Sequence, residues 1–267
     1  MIITSTQNPR VKALAALRRR QERERSGSVL VEGYEEVSLA LTSGARPLEL
    51  YYCPALIGNA EQLSLVEAVR AGGTEVVELS RQVFEKVAYR QNPDGWLAVF
   101  SPPPTSLAAL RVGADALVLV CEAVEKPGNL GAMLRTADAA GADALIAVAP
   151  VIDWGNPNLV RASRGCLFSV PVAEAAPEAA IQWLRARGIA VVAAAPDAGM
   201  PPTAADLRRP VALAVGSEKH GLSGAWLQEA DARVRIPMFG RVNSLNVAAS
   251  AAILLYEALR QRDKLRR

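Results

Sequence analysis

Four short runs beyond residue 115 are apolar at every position: Ala116-Leu-Val-Leu-Val-Cys121, Ala144-Leu-Ile-Ala-Val-Ala149, Ile189-Ala-Val-Val-Ala193 and Val211-Ala-Leu-Ala-Val215. A strand with one wet face alternates polar and apolar residues, whereas a strand apolar throughout must be covered on both faces. Helix-length segments separate the runs, among them Asn129 to Ala140, with Gly141 placed to end it. The pattern predicts an α/β fold built on a parallel sheet between layers of helices.

The first hundred residues carry their own alternation. Strands are expected at Ser28–Val31, Leu48–Cys53, Thr74–Leu79 and Trp96–Phe100, and helices at Tyr34–Leu41, Glu61–Ala71 and Arg81–Ala88. A further helix should run from Asn8-Pro9 to about Arg25, with Val11, Leu14 and Leu17 on its apolar side. Ser101-Pro-Pro-Pro-Thr-Ser106 then interrupts the chain, because three prolines favour extended polyproline geometry and cannot continue a strand inside a sheet. The expected organisation is a small domain over 1–100, a Pro-rich linker over 101–111 and a second domain over 112–267.

A chain of 267 residues with half of them hydrophobic can bury a substantial core. The net charge of +3 is small but concentrated at the ends. Arg10, Lys12, Arg18, Arg19, Arg20, Arg23 and Arg25 face only Glu22 and Glu24 near the start, and Arg260, Arg262, Lys264, Arg266 and Arg267 crowd the finish. Basic ends on a near-neutral body suit a polyanionic partner, although a solvated face explains any single charge run. Cys53, Cys121 and Cys166 lack the spacing of a disulfide framework or a zinc site. Met1-Ile-Ile-Thr4 is no signal peptide and no run reaches membrane-spanning length, so a soluble cytoplasmic protein is expected.

Three polar, Gly-bearing turns in the second domain are where chemistry is expected. They are Glu125-Lys-Pro-Gly-Asn-Leu-Gly-Ala-Met-Leu-Arg-Thr136, Val215-Gly-Ser-Glu-Lys-His-Gly-Leu-Ser223 and Arg235-Ile-Pro-Met-Phe-Gly-Arg-Val-Asn-Ser-Leu-Asn246. Open α/β sheets bind ligands beyond the carboxyl ends of their strands, so turns of this kind imply a shared pocket. The third turn runs into Val247–Tyr256, where only Ser250 is polar. A helix apolar all round is buried in a core or against a second copy of the chain, and Asn243 or Ser244 would cap its start. His220, the sole histidine, suits a surface or helix-start position better than a catalytic one. The motifs G-x-G-x-x-G, G-x-x-x-x-G-K-[ST], H-E-x-x-H and G-x-S-x-G are all missing, which disfavours dinucleotide, P-loop, zinc-protease and α/β-hydrolase chemistry.

Together the three turns resemble the ordered motifs of the SpoU/TrmH family, the SPOUT-class RNA ribose 2′-O-methyltransferases. Gly216 and Ile236 lie 20 residues apart and Ile236 and Leu245 nine, as in the family. Ser5-Thr-Gln-Asn-Pro-Arg-Val-Lys12, Val29-Leu-Val-Glu-Gly33 and Leu50-Tyr-Tyr52 resemble its ribosomal-protein-like N-terminal substrate-binding module. The resemblance implies a trefoil-knotted catalytic domain, an obligate homodimer with active sites at the subunit interface, and S-adenosyl-L-methionine as cofactor without a metal. It implies that Gly216, Ile236 and Leu245 hold the cofactor and that Arg135 is the essential arginine, reaching a partner's cofactor. Asn129, Glu218, Ser244 and Asn246 would orient the target nucleotide, while Lys12, Arg18, Arg19, Arg20 and Arg23 bind RNA backbone. The implied substrate is 23S ribosomal RNA. A transfer RNA 2′-O-methyltransferase and a catalytically silent RNA-binding or ribosome-assembly protein of the same fold are the competing expectations.

Overall fold

A computed structural model describes residues 2–263, so Lys264, Arg266 and Arg267 of the basic terminus lie outside the described residues. In chain order the first elements are β1 (Ile2–Ile3), α1 (Pro9–Ala16), α2 (Arg20–Ser26), β2 (Val29–Glu32), α3 (Tyr34–Thr42) and β3 (Pro47–Tyr52). Next come α4 (Ala60–Ala71), β4 (Glu75–Leu79), α5 (Arg81–Val87), β5 (Trp96–Phe100), β6 (Leu117–Glu122), α6 (Pro127–Ala139), β7 (Ala144–Val148) and α7 (Pro157–Ser163). The remainder is β8 (Val172–Ala175), α8 (Pro177–Arg185), β9 (Ala190–Ala194), β10 (Val211–Val215), α9 (Gly224–Glu229), β11 (Ala232–Val234) and α10 (Val247–Gln261).

The chain divides into two compact units, one of Met1–Pro102 with Asp153–Ser169, the other of Pro103–Ile152 with Val170–Arg267. The proline run therefore accounts for one crossing between units, and the excursion that carries α7 supplies two more. In the first unit the sheet order is β1-β4-β3-β5-β2, with β1, β4 and β3 parallel and β5 antiparallel to both of its neighbours. Val11, Leu14, Val83, Phe84 and Val87 from α1 and α5 pack on Tyr51, Val77 and Leu97 of that sheet.

The single helix expected over 8–25 is two. Asn8 caps α1 by accepting the Arg10 N–H at 2.9 Å, and Pro9 fits its first turn. The helix stops at Leu17, and Arg19 is extended (φ −89°, ψ 133°) before α2 begins. The reason lies in α2. The Arg23 guanidinium donates at 2.9 Å to the carbonyls of both Leu17 and Arg18, which the end of α1 would otherwise leave without a helical donor.

In the second unit six strands form one parallel sheet, ordered β11-β9-β10-β6-β7-β8. Val118, Val120, Ile146, Val191 and Ala212 face Ile181, Trp183 and Leu184 of α8 and Trp226 of α9. On the other side α6 packs against α10 and β7, and α10 also packs against β10. Both faces are covered, as the apolar strands require. Only one side of α10 is buried within the chain, through Val247, Ala251, Leu254, Leu255 and Ala258, while Ile253 and Tyr256 are about two-fifths exposed. The helix is capped by Asn246, whose side chain accepts the Ala248 N–H at 3.0 Å, in place of Asn243 or Ser244. Arg262 at its far end donates to the carbonyls of Asp115, Ala116, Leu207 and Arg209, so this member of the basic terminus is a structural clasp.

Candidate active site

The strand order places the site. β6 pairs with β7 on one edge and β10 on the other, and the chain reaches β10 only after adding β8 beyond β7 and β9 on the opposite side. Such a reversal opens a crevice beyond the carboxyl ends of the two central strands. Because Cys121 and Val215 are direct partners in the ladder, the turn after β6 and the turn after β10 leave the sheet side by side. Glu122, buried at the end of β6, accepts the Ser223 N–H at 2.6 Å and ties the second turn to the first strand.

Four polar side chains converge there. Glu218 accepts from the Lys126 ammonium at 2.5 Å, from the Asn129 amide at 3.0 Å and from the Asn246 amide at 2.8 Å. Asn246 Nδ2 also donates to Asn129 Oδ1 at 3.1 Å. All three turns are therefore represented in one network. The hydrogen bond from Lys126 chiefly holds the Glu218 carboxyl below its ordinary range, against the cost of desolvation, with the Lys126 charge and the Asn129 amide adding to it. A carboxylate so held is a poor proton acceptor, and its capacity is spent on fixing two amides and an ammonium. Lys126 had no role in the sequence reading. Its signal was a cation immediately before the Pro127 that opens α6.

Beside this network lies a cleft of about 550 Å³, within the range of about 300–1,000 Å³ usual for small-molecule sites. Its walls are the end of β9 with the turn that follows it (Ala194–Asp197), the turn after β10 (Gly216–Leu222) and the stretch from Val234 to Val247, including Ile236, Asn243, Ser244 and Leu245. A smaller hollow of about 200 Å³ adjoins it, lined by Lys126, Asn129, Ser217 and Glu218. Glu218 and Ser217 border both.

Gly216 makes the turn possible. A Cβ there would lie 2.0 Å from the Gly221 carbonyl carbon and 2.2 Å from the Leu222 nitrogen, so no side chain fits while the turn folds back. The return is held by Gly221 N–H on Ser217 O at 2.9 Å, with Gly221 at φ +66°, and by the His220 N–H on Ser217 Oγ at 3.1 Å.

Of the sequence-predicted residues, Asn129, Glu218 and Asn246 are joined directly, and Gly216, Ile236, Ser244 and Leu245 line the larger cleft. Arg135 lines neither hollow. It lies exposed on α6, about 9 Å along the axis from Asn129 by helical rise. Among the described residues no group of three His, Cys, Asp or Glu is placed to hold a metal ion, and no helix is long and apolar enough to cross a membrane.

The predicted RNA-binding cations of the first unit separate into two kinds. Lys12, Arg19 and Arg20 are exposed, with Arg19 near Glu22 and Arg20 paired to Glu24. Arg18 is exposed too, but donates to the carbonyls of Val87 and Ala88 and lies over the Tyr89 ring. Arg23 overturns the expectation. Only 5% exposed, it commits four of its five N–H groups to Asp153 and two backbone carbonyls, and its burial closes it off from a phosphate.

Residues 116–256, which contain the sheet, the three turns and most of α10, match the SpoU rRNA Methylase family. The chain belongs to that family. Residues 8–98 match the family description of an MRM3-like substrate binding domain. Among curated SpoU relatives, a 23S rRNA (guanosine(2553)-2′-O)-methyltransferase of Bacillus subtilis is 32% identical, over 95% of this chain and 97% of its own length. A 23S rRNA (uridine(2479)-2′-O)-methyltransferase of Streptomyces viridochromogenes is 34% identical, over 93% of this chain and 88% of that protein. The crystal structure of an AdoMet-bound rRNA methyltransferase from Sinorhizobium meliloti superimposes with a TM-score of 0.89 at 34% identity, covering 97% of each chain. The SpoU-type α/β architecture is thus shared along nearly the whole length.

Proposed function

We propose that this chain transfers a methyl group from S-adenosylmethionine to a ribose 2′-oxygen of RNA, and that its substrate is 23S ribosomal RNA in the cytoplasm. The observation that carries this reading is the Lys126–Glu218–Asn129–Asn246 network standing between a cleft of nucleoside size and a smaller polar hollow. Support comes from family membership, from relatives named as 23S rRNA 2′-O-methyltransferases, and from the similar structure of an AdoMet-bound rRNA methyltransferase.

The larger cleft fits an adenosine-bearing cofactor. Main-chain groups at Gly216, Ile236 and Leu245 would hold the adenine and ribose edges, with apolar side chains at two of those positions beside the flat base. When bound, S-adenosylmethionine supplies an electron-poor methyl carbon, which leaves orientation and electrostatics to the protein. Glu218 acts as a positioning residue. It locks the amides of Asn129 and Asn246, and these, with Ser244 on the larger cleft, orient the target nucleotide where the two hollows adjoin.

Arg135 binds an RNA phosphate beside the target ribose and stabilises charge developing on the 2′-oxygen. An arginine does this better than it takes a proton, because guanidinium stays charged and offers a fixed fork of donors. Exposed and lining neither hollow of its own chain, Arg135 suits action on the cleft of a second subunit. We therefore read the protein as a homodimer with a trefoil-knotted catalytic domain, the exposed Ile253 and Tyr256 of α10 lying in the subunit interface. The first unit grips RNA through Lys12, Arg19 and Arg20.

The test is a map of 2′-O-methyl marks on ribosomal and transfer RNA from cells with and without the gene, followed by reconstitution on protein-free 23S RNA. One mark on 23S RNA should depend on the protein. Arg135→Ala should lower transfer roughly 100-fold or more with S-adenosylmethionine affinity nearly unchanged. Equal loss of affinity and rate would refute the role of Arg135. Identical maps would refute turnover and leave a silent RNA-binding protein.

A further inference from the structure

Phe239 is 98% exposed, the highest value among the large hydrophobic side chains of the described residues. It lies on the turn between Met238 and Asn243, both of which line the larger cleft, so the intervening tip stands at the cleft mouth. The surrounding sequence is basic. Arg233, Arg235 and Arg241 are exposed, and no Asp or Glu occurs from Ala232 through Asn246.

Charge and shape together select the occupant. A bare ring on a stretch whose exposed charges are all arginines matches a polyanion with flat faces, which describes unpaired nucleic acid. A second copy of the chain would call for a contiguous apolar patch. Within this turn only Val242 joins Phe239 as an exposed large apolar residue, whereas α10 offers Ile253 and Tyr256 elsewhere.

We propose that Phe239 stacks on an unpaired nucleobase of the substrate RNA at the cleft mouth, with Arg241 on a neighbouring phosphate, so that the pair sets which nucleotide enters. The inference rests on the RNA-methylation reading and deepens it.

Filter retention of protein-free 23S RNA measures binding without turnover, alongside KM and kcat for methyl transfer. Phe239→Ala should weaken retention and raise KM for RNA by about 5- to 100-fold, the range for one lost stack, with a smaller effect on kcat. Phe239→Trp should restore both, and Phe239→Leu should not. Arg241→Ala should lower the log–log salt slope of retention by roughly one.

Rescue by Leu would overturn the proposal, since an apolar plug would then suffice. So would Phe239→Ala that weakens S-adenosylmethionine binding by calorimetry, which makes the ring a cleft wall, or that dissociates a dimer in sedimentation, which seats it on a second copy. Retention of RNA that depends on Phe239 without any methyl transfer would refute the enzymatic reading and leave the stacking intact. No retention by the wild type would overturn both.

Discussion

Replacing Arg23 by Ala tests whether the N-terminal arginine cluster is a uniform phosphate-binding surface. The side chain is 5% exposed and its partner Asp153 17% exposed. Nε and Nη2 donate to the two carboxylate oxygens at 2.8 and 2.7 Å, and Nη1 donates to the carbonyls of Leu17 and Arg18. Alanine would strand a mostly buried carboxylate and uncover the end of α1. Removing one partner of a buried ion pair costs about 3–5 kcal/mol, because the orphaned charge keeps its desolvation penalty. At a few degrees per kcal/mol, the unfolding midpoint of the first unit should fall by roughly 10–20 °C.

Amide exchange read by mass spectrometry localises the effect. Peptides spanning 9–26 and 153–169 should lose protection first, since Arg23 joins exactly those segments of one compact unit. Asp153→Asn should destabilise too, because it leaves the still more buried Arg23 guanidinium without its counter-charge, although the amide oxygen can still accept one of its N–H groups. RNA affinity of the folded fraction should keep its wild-type salt slope. A variant that melts like the wild type yet binds RNA with a slope reduced by about one would refute this reasoning and return Arg23 to the phosphate-contacting set.

Three further outcomes follow from the active site. Gly216→Ala forces a Cβ to 2.0 Å from the Gly221 backbone, so the turn must open; S-adenosylmethionine binding by calorimetry should be lost, and wild-type affinity would show that the turn is not a cofactor wall. Asn246→Asp keeps a good helix cap but removes two donors and faces Glu218 with a second carboxylate; methyl transfer should fall by roughly 10- to 30-fold, for two polar contacts of about 1 kcal/mol each, while the melting midpoint moves little. Glu218 has its folded pKa below the ordinary 4.5, so its contribution is complete above the unfolded value and lost as pH falls through the lower folded one. Cofactor affinity should therefore be flat from about pH 5 to about pH 8, and an acid limb near pH 6 that Glu218→Gln abolishes would contradict the assigned charge state.

Much of the fold was legible because its signals were local and strong. Leu117–Glu122, Ala144–Val148, Ala190–Ala194 and Val211–Val215 read as covered strands since no polar residue interrupts their centres. Val172–Ala175 was missed, being short and bearing Glu174. The break between α1 and α2 was invisible because neither Gly nor Pro marks it; a side chain four residues beyond Arg19 does. Charge runs misled for a related reason. Arg23 and Arg262 look like their neighbours in sequence, yet each is consumed by backbone carbonyls brought to it by the fold. The site divided along the same line. Asn129, Glu218 and Asn246 were identifiable by motif, while Lys126 became visible only when β6 and β10 were seen to be partners.

Asn246 shows how closely the chemistry depends on the scaffold. Its carbonyl oxygen is committed to the Ala248 N–H at the start of α10, so its amide nitrogen has one direction left, towards Glu218 and Asn129. Asn129 lies in the first turn of α6, and α6 packs along α10. The packing of two helices thus sets the distance between two amides, and Glu218 completes the triangle from a turn that Gly216 alone permits. Positional precision at the smaller hollow therefore comes from the packing of the buried faces of α6 and α10 on each other. Substitutions in that apolar contact should disturb orientation of the target nucleotide without touching a single polar group in the site.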